Sequence, residues 1–427
     1  MTMAGLDNEK SSIVTLGRQF GRGALAILVA AGLLYGAYDW WGRHRYRSEI
    51  TEIHKEMAGG QFGMAARNLD KLLAWKPGSD EATYLLGICE QGRGRYHEAA
   101  SAWARVSPGS AFAHRAVLAR MRLFYDSGRC ADAEQLVIAA AQDPRNDRSD
   151  LRVLLVPVYS QLGRIDEAER LLRDRWDDLN EAGEGTSEQA LNMLLLHIEL
   201  GMKTMLPETA RAYLDRAGRE APDDDRVWLG QANLAIRTGR YDLARRYLDA
   251  SLRRRPDDAA VWRARVNWGI ATDRLDVVKQ ALARLPTDES TRAERYHWNA
   301  WVFARAGDTD SESSELESAI AANPGDLPAL EQLVLRAKKS GRQAEADRLI
   351  RKKSELERLR ARYQKLFERK QPVRDAEEMA QLADQLGRRF EARAFYTLAL
   401  AEEPDREDLK RELARLNQSL PVAKTGA

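Results

Sequence analysis

At 427 residues the chain is long enough for two or three ordinary domains, and 67 Lys and Arg against 65 Asp and Glu leave a net charge of only +2. A balance that close gives no global field to recruit nucleic acid. The two cysteines, Cys89 and Cys130, form neither a metal-binding spacing nor a disulfide framework.

Residues 1–21 read as a short polar N-terminal tail, and residues 22–43 as something different. From Gly23 to Gly42 the run GALAILVAAGLLYGAYDWWG holds one charge, Asp39, between Arg22 and Arg43. At a rise of about 1.5 Å per residue it would span roughly 30 Å, the hydrocarbon thickness of a bilayer. Tyr35, Tyr38, Trp40 and Trp41 crowd its end, where an aromatic belt would sit. A cleaved leader needs a small-x-small site at that place, which Tyr38-Asp39-Trp40-Trp41 does not offer. The expectation is therefore an uncleaved single-pass anchor in the cell membrane. Lys10, Arg18 and Arg22 on one side nearly balance Arg43, Arg45, Arg47 and Lys55 on the other. The layout of short basic tail, anchor and long soluble domain places that domain on the outer, periplasmic face in preference to the cytoplasmic one.

Between residues 46 and 406 one phrase recurs. It is clearest from Asp225 to Pro256, where two amphipathic helices meet at Gly239-Arg240-Tyr241. Trp228, Ala232 and Ala235 share a face of the first helix, and Ala244 and Leu248 line the second. Gly239 ends the first helix without a Cβ penalty and Pro256 stops the second. The turn position recurs at Gly60, Gly94, Gly128, Gly163, Gly201, Gly239, Asp273, Gly307, Gly341 and Gly387. Five places on, a small residue recurs as Ala65, Ala99, Ala133, Ala168, Ala244, Ala346 and Ala392. Two longer steps place extra residues in the loop Asn180–Ser187 and within the turn at 201–210, where insertion is cheap. The eighth repeat carries Glu312 where alanine is expected, so its second helix is expected to start late. The second helix of the ninth runs on over 346–370, with Leu349, Leu356, Leu359, Tyr363 and Leu366 as a short heptad seam. That seam either packs on neighbouring helices or serves a homodimer or a docked partner. Residues 407–427 read as a capping helix and a tail.

With its 34-residue period and its Trp, Gly, Tyr, Ala and Pro positions, the chain resembles the tetratricopeptide repeat family. The resemblance covers nearly all of residues 46–406. It implies an all-α fold, a right-handed superhelical solenoid of about ten helix-turn-helix repeats, in which each repeat contacts only its neighbours. It also implies a concave groove lined by first helices and holding a peptide or a partner helix. Carried onto repeats six to eight, that surface comprises Arg226, Leu229, Asn233, Arg263, Asn267, His297 and Trp301. Arg263 with Asn267 resembles the family's carboxylate clamp, but Trp298, Pro328 and Gln332 stand where the rest of a clamp needs polar or basic side chains. Trp228, Trp262 and Tyr296 form an aromatic stripe better suited to inter-repeat packing than to a ligand box.

Catalytic motifs are missing. The six histidines make no i,i+4 pair, and there is no HExxH, no GxxxxGK[ST] loop and no GxSxG elbow. The chain thus reads as a membrane-anchored scaffold binding partner proteins or peptides, without cofactor, metal or catalysis. The alternative is an assembly or quality-control factor, chaperone-like, holding client segments beside a translocation or envelope-assembly machine.

Overall fold

A computed structural model describes residues 40–146, 148–202, 207–286 and 289–418, and every regular element among them is helical. The chain divides into two compact units, Met1–Arg120 and Met121–Ala427.

The first unit contains α1 (40–58), α2 (Phe62–Trp75), α3 (Asp80–Gly92), α4 (Tyr96–Ala104) and the start of α5 (Ala113–Asp126). Ile53, Ala65, Leu69, Leu72, Ala82 and Cys89 close one core between the first helices. Ser79 starts α3 by accepting the Ala82 N–H, which satisfies an end-of-helix donor. Trp103 is buried against Gly87 and gives its indole N–H to the Tyr84 carbonyl at 3.0 Å.

Among the described residues no helix is long and apolar enough to cross a membrane. That overturns the expected single-pass cell-membrane location with its outer-face preference. Of the segment 22–43 only 40–43 are described, and they open α1, whose next residues include Arg45, Arg47, Glu49 and Glu52. The rest of that segment and the tail 1–21 lie outside the described residues.

The second unit begins with the end of α5 and α6 (Cys130–Gln142), then a broken stretch: α7 (Arg148–Arg152), a 3-10 turn at Val153–Leu155 and α8 (Val156–Gln161). There follow α9 (Ile165–Glu181), α10 (Glu188–Met202), α11 (Pro207–Glu220), α12 (Asp225–Arg237), α13 (Tyr241–Arg254), α14 (Ala259–Ala271) and α15 (Leu275–Arg284). Next come α16 (Glu289–Ala306), α17 (Thr309–Ala322), α18 (Leu327–Lys339), α19 (Gln343–Glu368), α20 (Ala376–Gln385), α21 (Arg389–Glu402) and α22 (Glu407–Gln418).

The periodic residues do what their chemistry requires. Ala65, Ala99, Ala133, Ala168, Ala244, Ala346 and Ala392 are all fully buried, because only a methyl fits where the two helices of a pair cross. Asp273 takes the left-handed conformation in place of the usual glycine, at φ 56°. Gly201 does not: it sits inside α10, and the left-handed residue after α9 is Gly183. Residues 203–206, within the turn expected at 201–210, lie outside the described residues. Helix α17 starts on time at Thr309, capped by Asp308, and Glu312 is buried with Arg336 3.0 Å from its carboxylate.

Contacts are not confined to neighbouring repeats. Phe390 of α21 meets Trp176 of α9 edge to face at 5.5 Å, and the Arg393 guanidinium lies 5.6 Å over the same indole. Arg393 also donates to Asp177 at 3.0 Å. Leu194 and Ile198 of α10 share a core with helices α17 to α22. The heptad seam of α19 belongs to that core: Leu349, Leu356, Tyr363 and Leu366 are buried within the chain, so they offer no apolar face for a homodimer. Helix α22 caps the end through Leu409 and Leu416.

Two aromatic rings brought together from positions 176 and 390 should be energetically coupled. We expect Trp176→Ala and Phe390→Ala each to cost about 3–5 kcal/mol in urea unfolding. The double variant should fall short of their sum by about 0.5–1.5 kcal/mol. Strict additivity would contradict the contact.

Candidate functional site

The seven residues expected on the groove fall into two groups. On α12, Arg226 and Leu229 are buried and Asn233 is half-buried. Leu229 lies in the core shared with Ala244, Leu248 and Trp268. Asn233 donates to the Leu162 carbonyl at 2.8 Å, and its side chain rests on Gly163, where any Cβ would stand 3.3 Å from it. The turn between α8 and α9 thus seats on the middle of α12.

Arg226 is held by Glu134, reaching from α6, and by Asp258, 2.6 Å away at the start of α14. Glu134 in turn takes Arg164 at 2.7 Å and the Tyr159 hydroxyl at 3.0 Å. Burial pushes the Glu134 carboxyl up, but the two guanidiniums outweigh it and hold it below the usual carboxylate range. Arg164 continues to Glu167 at 2.5 Å, and Glu167 lies 3.6 Å from Arg263 of α14. Arg263 reaches Glu294 of α16 at 2.9 Å.

Asp224 adds a second tie. Its carboxylate caps α12 through the Arg226 and Val227 N–H groups and also accepts the Ala131 N–H at 2.8 Å. One side chain therefore satisfies donors at the starts of two helices, α12 and α6.

The other four residues are more open. Asn267 is exposed on α14, one turn beyond Arg263, whose side chain is mostly covered by its two glutamates. On α16 His297 is half-buried, 2.7 Å from Asp326, and that hydrogen bond raises its pKa. Trp301 packs partly on the Val266, Val278 and Trp298 core, with Arg305 5.3 Å over its ring. The stripe residues Trp228 and Trp262 each give the indole N–H to a proline carbonyl six residues earlier, Pro222 and Pro256. Among the described residues no group of three His, Cys, Asp or Glu could hold a metal ion, and Cys89 and Cys130 are buried free thiols.

Two segments, residues 51–113 and 207–266, match family models described as tetratricopeptide repeat. The chain is a tetratricopeptide-repeat protein. No curated protein is similar enough to count as a relative. Solved structures with a similar course include the Cut9–Hcn1 hetero-tetramer of the APC/C, 12% identical over 86% of this chain and 88% of that one, with a TM-score of 0.35. PilW, a widely conserved type IV pilus biogenesis factor, is 19% identical over 53% of this chain and all of its own length, with a TM-score of 0.32. Yeast Tom70 is 12% identical over 86% and 91%, with a TM-score of 0.28. Scores this low carry no partner or activity from those proteins to this tetratricopeptide-repeat chain.

Sequence reasoning put Arg226 and Asn233 on an open surface because helix periodicity gives their face and nothing more. The missed participants are Glu134, Arg164, Glu167, Asp258 and Glu294. A glutamate in a repeat's second helix is unremarkable in the sequence, and its partner stands 92 residues away.

At the end of this network the Glu294 carboxyl is pushed up to about 7, first by burial and then by the nearby Asp166, with Arg263 pulling the other way. A carboxyl whose folded pKa is raised holds its proton in the folded chain, so its ionisation costs stability as pH rises from the unfolded value towards 7. We expect Glu294→Gln to match the parent near pH 5 and to melt a few degrees higher by about pH 8. His297 adds a slope of the same sign, so the difference between variant and parent is the quantity to read. A variant that melts lower than the parent at pH 8 would contradict the assignment.

Proposed function

We propose that this protein is a binding scaffold that takes a peptide or a partner's segment on the face of α14 and α16 marked by Arg263, Asn267, His297 and Trp301. Tetratricopeptide repeats bind proteins or peptides, and that class of function is the one the repeats here support. The observation that carries the reading is the contrast between α12 and its neighbours. The same helix positions are sealed by α6 and the α8–α9 turn on α12, yet reach the surface as polar and aromatic groups on α14 and α16. Asn267 supplies both a donor and an acceptor for peptide groups, and His297 adds a ring nitrogen already polarised by Asp326. Trp301 supplies one broad wall, and Trp and Arg are the residues on which interface energy concentrates. Arg226 then acts behind this face, holding α12 and α14 in register through Asp258.

The test is a photo-crosslinking residue placed at Asn267, with Arg253 on the exposed side of α13 as the control. A single defined protein should be captured at Asn267 and not at Arg253. Trp301→Ala should weaken that capture by about tenfold or more with the helical content unchanged. Equal capture at both positions, or a Trp301→Ala variant that binds as the parent does, would overturn the reading.

A further inference from the structure

The seam where α9 and α10 meet the C-terminal repeats encloses a second feature, which shares no residue with the face on α14 and α16. It is a cavity of about 480 Å³, within the size range of ligand sites. Five places in the chain build it: α9, α10, the loop between α17 and α18, α19, and the α20–α21 turn. The turn and loop come close because both are glycine: a Cβ on Gly325 would stand 2.1 Å from the Leu386 carbonyl oxygen, and one on Gly387 2.6 Å from Asn323.

The lining is strongly one-sided in charge. Arg173, Arg360, Arg388 and Arg389 face Glu169 and Glu391. Glu391 is already consumed: the Tyr363 hydroxyl, Arg388 at 3.2 Å and His197 at 3.6 Å surround it. Glu169 is pushed up by burial, and its contact to Arg173 is a loose 3.8 Å. Among the described residues the one hydrogen-bond partner of Arg173 is His197, at 3.3 Å. Arg360 and Arg389 are exposed, and among the described residues neither has an ion-pair partner. Three guanidiniums with donors to spare therefore border one space. Guanidinium forks bind carboxylates in a paired, planar geometry. The same space has an apolar wall of Leu327, Leu386 and Phe390.

We propose that this cavity is a binding site for a protein segment in which acidic side chains flank an apolar one. The arginines Arg173, Arg360 and Arg389 take the carboxylates, and Phe390 with Leu327 takes the apolar side chain. A lone small anion would satisfy the arginines and leave the apolar wall uncovered, so the combined lining selects a peptide. Because the cavity is assembled from helices more than 150 residues apart in the chain, as α9 and α19 are, it exists only when the seam is closed.

The experiment is fluorescence anisotropy on the full chain with a labelled peptide, Glu-Phe-Glu-Glu-Leu-Glu, beside its counterpart with Gln for every Glu. The acidic peptide should bind and the Gln peptide should not. Arg360→Glu and Arg389→Glu, both at exposed positions, should each weaken binding by about tenfold or more while leaving the melting temperature unchanged. Arg351→Glu, on the same helix as Arg360 but outside the cavity, should bind as the parent does, and so should Trp301→Ala. Equal binding of the two peptides, no binding of either, or the same loss in Arg351→Glu would overturn the proposal. Full displacement by millimolar inorganic phosphate would also overturn it, because the site would then be one for small anions.

Discussion

The Glu134 carboxylate, buried between Arg164 and Arg226, is the contact on which the second unit depends. A carboxylate out of water is tolerable only when it is paired and hydrogen-bonded, and here two guanidiniums and the Tyr159 hydroxyl do both. Neither arginine ends there. Arg226 passes on to Asp258, and Arg164 to Glu167, Arg263 and finally Glu294. The chain of charges crosses α6, α9, α12, α14 and α16, so the positions of five helices are specified by one alternating series. Replacing such a series by apolar groups can be neutral for stability, whereas removing the buried Glu134 carboxylate alone strands both arginines. Its contribution is thus to fix which helices meet, and through that to hold Arg263 and Asn267 in place at the surface.

The second seam is built on a different principle. Trp176, Phe390 and the Arg393 guanidinium pack together where α9 meets α21, and the aliphatic residues of α10 complete a core with the last six helices. Hydrophobic burial is not directional, so this seam supplies attraction while the ionic series supplies registry. Together they make the second unit something other than a row of repeats that each touch only the next.

Much of the local structure was legible in the sequence. The seven alanines lie at helix crossings, and Asp273 adopts the turn conformation that its place in the period demands. Both follow from sterics within one repeat. Gly201 marks the limit of the period: the glycine matched the spacing, but the helix Glu188–Met202 runs through it. Pairings between repeats were not legible at all. Nothing local distinguishes Arg226, which is sealed by a glutamate from α6, from Arg263, which borders the surface. The seam on α19 had a correct heptad pattern, but a pattern names an apolar face and not what covers it. Likewise hydropathy suggested a membrane span at 22–43, where the described part begins a helix that goes on to carry Arg45, Arg47, Glu49 and Glu52. Of the candidate site, the face on α14 and α16 could be read from repeat position, and the carboxylates that orient it could not.

The central claim is that distant helices of the second unit are held as one body by these two seams. Native-state hydrogen exchange on the full chain at rising urea concentrations tests it most directly. The account predicts that the slowest amides of α6, α9, α12 and α21 share one opening free energy and one denaturant dependence. Stepwise opening, repeat by repeat from α21 inwards with α6 and α12 opening independently, would contradict it.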